Sequence, residues 1–197
     1  MRRASIAVAA LVLLMTGCTA SGSGSTKTAP APRESTPAAS SEILDDRGMA
    51  GRTVEEIIDE LDTMPLGARP PDLMASVRPD GLVLSDGTAE ETLPLPDDRF
   101  YLSVAPYVDS THECFHHSLT TCTGELGGAE VELRVTTADG EVLLDETRTT
   151  YDNGFVGFWL PRDVEGTVDV KYDGRSGSAP FETRSDSATC LTTLRLV

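Results

Sequence analysis

Val54, Ile57, Ile58 and Leu61 recur at i, i+3, i+4 and i+7, the spacing that lines one face of an α-helix. Thr53 and Glu56 form a capping box in front of them. The hydroxyl accepts from an amide of the first turn, and the carboxylate reaches back to the amide of the cap residue. Glu55, Glu56, Asp59 and Glu60 sit early in this helix, which suits the positive end of its dipole, and Pro65 stops it. A lone apolar stripe must be covered. The rest of the chain is the simpler cover, and a second copy in a homodimer is the alternative.

Pro70 and Pro71 break the helical pattern, and the period then becomes two. Residues 72–77 and 82–85 read as short strands joined through Pro79-Asp80-Gly81, a turn sequence. Residues 100–104 form a further strand, and residues 131–135 alternate apolar and polar. Ala138-Asp139-Gly140 then leads into the apolar run 142–144, and an Asp-Gly step between two such runs signals a hairpin. Residues 155–160 carry the only tryptophan, Trp159, and end at Pro161. Residues 167–172 run into Asp173-Gly174, and 179–183 and 191–196 complete the set. No internal repeat is visible. The pattern predicts an α+β fold, mostly β: a short N-terminal helical segment, then an antiparallel β-sandwich or barrel-like domain.

The N-terminus reads differently. Arg2 and Arg3 precede an apolar run over residues 6–15, too short to span a bilayer but suited to a signal peptide. The run ends in Leu14-Met15-Thr16-Gly17-Cys18, which resembles a bacterial lipobox. We therefore expect a signal peptide over residues 1–17, acylation of Cys18, and a membrane anchor through that lipid. Residues 18–41 are rich in Ser, Thr, Ala, Pro and Gly and read as a flexible tether. Residues 42–90 form the helix-containing segment and residues 91–197 the β-rich domain.

Charge narrows the function. The chain holds 16 basic and 32 acidic residues, a formal net charge of −16. Loss of Arg2 and Arg3 with the signal peptide makes it −18. Nucleic-acid binding needs a basic footprint and is excluded on this ground. The acidic surface reads first as a solvated face, and secondarily as a screened field that attracts cations.

One stretch carries the chemistry. Five of the eleven positions from 112 to 122 are histidine or cysteine: His112, Cys114, His116, His117 and Cys122. These are all the histidines of the chain and two of the three cysteines beyond Cys18; the third, Cys190, precedes the last predicted strand. Thiolate sulfur and imidazole nitrogen are ligands that select Cu(I), zinc and their neighbours. Three cysteines cannot all pair within one chain, so one stays free, binds metal or bridges chains. A Cys114–Cys122 bridge would contribute roughly 2–3 kcal/mol, against about 4–4.5 kcal/mol for a bridge from either to Cys190. Stability alone favours the long loop. Two cysteines eight apart, with a third to join them, read as a site that switches between thiols and a bridge.

Rival motifs fit less well. His112-Glu113-Cys114-Phe115-His116 formally matches H-E-x-x-H, but that zinc-protease motif needs a helix. Here Pro106 precedes it, Thr120-Thr121 follows it, and no amphipathic pattern surrounds it. Gly174-Arg175-Ser176-Gly177-Ser178 misses the G-x-S-x-G nucleophile elbow and lies in a turn.

Residues 100–126, FYLSVAPYVDSTHECFHHSLTTCTGEL, resemble the CueP family of periplasmic copper-binding proteins. The specific part is His-x-Cys-x-x-His-Ser-Leu-Thr-Thr-Cys-x-Gly-Glu over residues 112–125. Residues 72–79, DLMASVRP, are similar to the same family, and the likeness extends over about residues 45–197. It implies copper binding in the cell envelope, reduction of Cu(II), copper resistance, and delivery to a copper enzyme such as a superoxide dismutase. The family's cysteines map onto Cys114, Cys122 and Cys190. His112 and His117 match its motif histidines, and His116 does not. On this reading Cys114 and Cys122 are the redox pair and Cys190 is a ligand or resolving thiol. The alternatives are a non-redox buffer of copper or zinc, and an envelope thiol–disulfide exchange protein.

Overall fold

The computed structural model describes residues 42–197. The signal peptide, Cys18 and the tether lie outside the described residues. A short helix α1 (Glu42–Asp46) precedes α2 (Val54–Thr63). The capping box forms: Glu56 N donates to Thr53 Oγ1 (3.3 Å) and Thr53 N donates to Glu56 Oε2 (2.8 Å). Ile57, Ile58 and Leu61 are almost completely buried. Each such side chain contributes roughly 1.5–3 kcal/mol of transfer free energy. No helix among the described residues is long and apolar enough to cross a membrane.

The strands are β1 (Met74–Val77), β2 (Gly81–Ser85), β3 (Glu90–Pro94), β4 (Arg99–Val104), β5 (His117–Ser118), β6 (Glu130–Thr137), β7 (Val142–Thr149), β8 (Val156–Pro161), β9 (Glu165–Tyr172), β10 (Arg175–Glu182) and β11 (Cys190–Leu191). They form three sheets, ordered β3-β2-β1-β5, β10-β9-β6-β7 and β11-β4-β8. Pairing is antiparallel except between β11 and β4. The Asp-Gly steps work as expected. Gly140 takes φ +87° in the β6–β7 hairpin, and Asp173 and Gly174 both take positive φ between β9 and β10.

The mostly antiparallel β fold is the expected one, but the sheets stay open and close no barrel. Pro180 sits on β10, an edge strand, where its missing N–H costs no ladder bond. The strand expected over 191–196 shrinks to Cys190–Leu191 plus an isolated bridge from Tyr107 to Arg195. Strands β3 and β5 are additions to the expected set. With only two residues, β5 carries no periodicity to read.

Strand β4 divides the molecule. Phe100, Leu102 and Val104 point into a core shared with β6, β8, β9 and β10, built from Val131, Leu133 and Val135 of β6 together with Phe158 and Val168. The alternate β4 residue Tyr101 turns the other way, into a second core formed by the α2 stripe with Ala75, Val77, Leu82, Leu84 and Leu119. The helix stripe is thus covered by the chain's own β1 and β2. Ser103, on the same face of β4 as Tyr101, is fully buried. A polar spot is therefore built between α2 and β4, beside the histidine–cysteine segment.

Candidate metal centre

The segment from 105 to 125 is mostly irregular, so side chains rather than a ladder hold it. The Glu125 carboxylate accepts from the amides of Val108 (2.9 Å), Asp109 (3.0 Å) and Ser110 (3.1 Å). These donors hold its carboxyl below the usual range. Thr111 Oγ1 donates to the Thr192 carbonyl (2.7 Å). The Phe115 carbonyl accepts from the amides of Thr189 (3.0 Å) and Cys190 (3.2 Å), and His117 pairs with Val77 as β5 joins β1.

These anchors bring three sulfurs together. Cys114 and Cys190 form a disulfide across 76 residues, with Cα atoms 5.7 Å apart. Cys122 is the free cysteine among the described residues. Its Sγ lies 3.6 Å from Cys114 Sγ and accepts from Ser118 N (3.4 Å). The bridge therefore joins Cys114 to Cys190 and not to Cys122, the expected redox partner. The reason is tertiary: β11 runs beside β4, and the Phe115 carbonyl clamps the 189–190 amides next to Cys114.

His117 lies against the sulfurs, with Nδ1 3.8 Å from Cys190 Sγ. Its Nε2 donates to Asp62 Oδ1 (2.9 Å), and both side chains are fully buried. Asp62 also accepts from Tyr101 Oη (2.7 Å), Ser103 Oγ (3.2 Å) and Asn153 Nδ2 (2.9 Å). Gly157 makes room for this network, because a Cβ there would overlap the Tyr101 hydroxyl. Phe155 packs on the His117 ring at 4.5 Å between centroids.

The network sets the charges. Burial disfavours the His117 imidazolium, but the charge and hydrogen bond of Asp62 outweigh it and lift the pKa to about 9. Burial likewise pushes the Asp62 carboxyl up, yet His117, Tyr101 and Asn153 together hold it below its ordinary value. For Cys122, burial raises the thiol. The hydrogen bond and charge of His117, the Ser118 amide and the Arg69 guanidinium more than offset this, so the thiol is acidified. Arg69 is held there by Nη1 donating to the Cys122 carbonyl (2.8 Å).

Of the sequence-derived candidates, Cys114, Cys122, Cys190, His112 and His117 all converge. Two sets of ligand atoms lie within 4.8 Å of one another: His112 with Cys114 and Cys122, and His117 with Cys122 and Cys190. His116 is in neither set and stacks edge-on against the exposed Phe115. Residues 112–116 form no helix, so the H-E-x-x-H geometry is absent. Asp62 escaped the sequence reading. Its signal was an acid at i+8 of the apolar stripe, a position that continues the buried face. A cleft of about 240 Å³ opens beside His112, lined by Thr111, Thr123, Gly124 and Glu125. A larger depression of about 460 Å³ lies over β6, β9 and β10, among Glu132, Arg134 and Lys171, and holds no sulfur or imidazole.

Residues 56–195 match the family described as periplasmic copper-binding protein CueP. The chain belongs to the CueP family. The crystal structure of S.CueP is similar, with 44% sequence identity and a TM-score of 0.76, over 81% of this chain and 100% of that one. The comparison with curated proteins yields no match. Membership of the CueP family makes this an extracytoplasmic copper-binding protein. The donor set fits that cargo, because thiolate sulfur and imidazole nitrogen are both ligands that bind copper.

Proposed function

We propose that this CueP-family chain binds copper at Cys114, Cys122, Cys190, His112 and His117, reduces Cu(II), and holds the Cu(I) product for copper resistance or delivery. The observation that carries this reading is the free Cys122 sulfur 3.6 Å from Cys114 of the Cys114–Cys190 bridge, beside the buried Asp62–His117 pair. Two thiols give two electrons as they form one disulfide. Two Cu(II) become two Cu(I), and two protons leave. Cys114 and Cys190 are the pair favoured by the bridge. Exchange from Cys122 would move it to Cys114–Cys122, because a thiolate attacks a neighbouring disulfide sulfur. On this reading Cys18 anchors the chain by lipid, and a copper enzyme such as a superoxide dismutase receives the ion.

The experiment is a thiol count on reduced protein before and after anaerobic Cu(II) addition, with Cu(I) followed by a chromogenic chelator. Two thiols lost for two Cu(I) formed is the expected result. Copper or zinc bound without thiol loss would replace reduction with buffering. Turnover of a disulfide substrate without metal would favour thiol–disulfide exchange.

A further inference from the structure

The two donor sets differ in more than membership. His112, Cys114 and Cys122 form an outer set, with His112 exposed at the mouth of the cleft. His117, Cys122 and Cys190 form an inner set, with His117 and Cys190 buried against Phe155. Neither set contains both histidines, and Cys122 belongs to both. The five groups therefore gather as two three-membered sets that share one sulfur. A thiolate has lone pairs enough to bridge two metals.

Resting on the copper reading above, we propose that the reduced protein holds two copper ions at adjacent positions bridged by Cys122: an outer, exchangeable one at His112 and Cys114, and an inner, enclosed one at His117 and Cys190. The orientation of the histidines supports the division. His117 is fixed through Nε2 by Asp62, leaving Nδ1 toward the sulfurs, as carboxylate-oriented metal histidines are. His112 meets Phe155 only edge-on, 6.2 Å between centroids, and is exposed.

The electron count agrees with two positions. Closing one disulfide from two thiols releases two electrons, so each turnover makes two Cu(I). The bond between Cys114 and Cys190 withdraws one sulfur from each set and leaves Cys122 as the remaining thiol of both. Oxidation thus weakens both positions together, and both regain their full donor sets when a dithiol reductant reopens the bond.

The test uses the full chain carrying Cys18→Ser, so that Cys114, Cys122 and Cys190 are its only thiols. The protein is reduced, freed of reductant under nitrogen, and titrated with Cu(I) against a competing chromogenic chelator. Two equivalents are expected, with a copper–copper scattering path in X-ray absorption. His112→Ala, at an exposed position, should lose the second equivalent and that path while the first keeps its affinity to within a few-fold. Cys122→Ser should abolish the path. A single equivalent in the unsubstituted site, or two equivalents unaffected by His112→Ala, would overturn the proposal and leave the copper reading intact. No Cu(I) bound at all would overturn both.

Discussion

Replacing Asp62 by asparagine keeps the side chain's volume and removes its charge. The carboxylate accepts from four side chains: Tyr101, Ser103, His117 and Asn153. An asparagine offers one acceptor oxygen and presents a donor where the other stood, so part of this set is left facing a donor. Breaking a buried ion pair by removing one partner costs about 3–5 kcal/mol. For a protein of this size each kcal/mol moves Tm by roughly 2–4 °C, so Tm should fall by about 10 °C. Loss of the group that orients a metal-binding histidine costs about 10–100-fold in metal affinity. Thermal unfolding with the disulfide intact gives the first number, and Cu(I) competition under reducing conditions gives the second. A variant within about 1 kcal/mol of the parent, with unchanged Cu(I) affinity, would refute the role assigned to Asp62.

Three further outcomes follow from the same geometry. In the oxidised protein iodoacetamide should label Cys122 and neither Cys114 nor Cys190, which peptide mass mapping would check. Cys190→Ser should let Cys114 pair with Cys122, replacing a long loop by a short one at a loss of about 2 kcal/mol, whereas the Cys122→Ser, Cys190→Ser double variant should lose about 4.5 kcal/mol; denaturant unfolding separates the two. Gly157→Ala should destabilise by about 1–3 kcal/mol through overlap with the Tyr101 hydroxyl, measured the same way.

Much of this was legible in the residues alone because it is local. The capping box and stripe of α2, the Asp-Gly hairpins and the crowding of histidine and cysteine into 112–122 each depend on neighbours within a few positions. Helical and strand periods, turn chemistry and ligand softness act at that range, and the likeness to CueP rested on short tracts, residues 100–126 and 72–79, with the late Cys190.

Tertiary structure decided the rest. Asp62 meets His117 across 55 residues, and Cys114 meets Cys190 across 76. The helical period puts Asp62 on the buried face, but it does not name the partner there, because each encounter depends on α2 packing over β4 and on β11 lying parallel beside it. The residue types name the chemistry available; only the packing of distant segments determines which sulfur bonds to which and which carboxylate faces the imidazole.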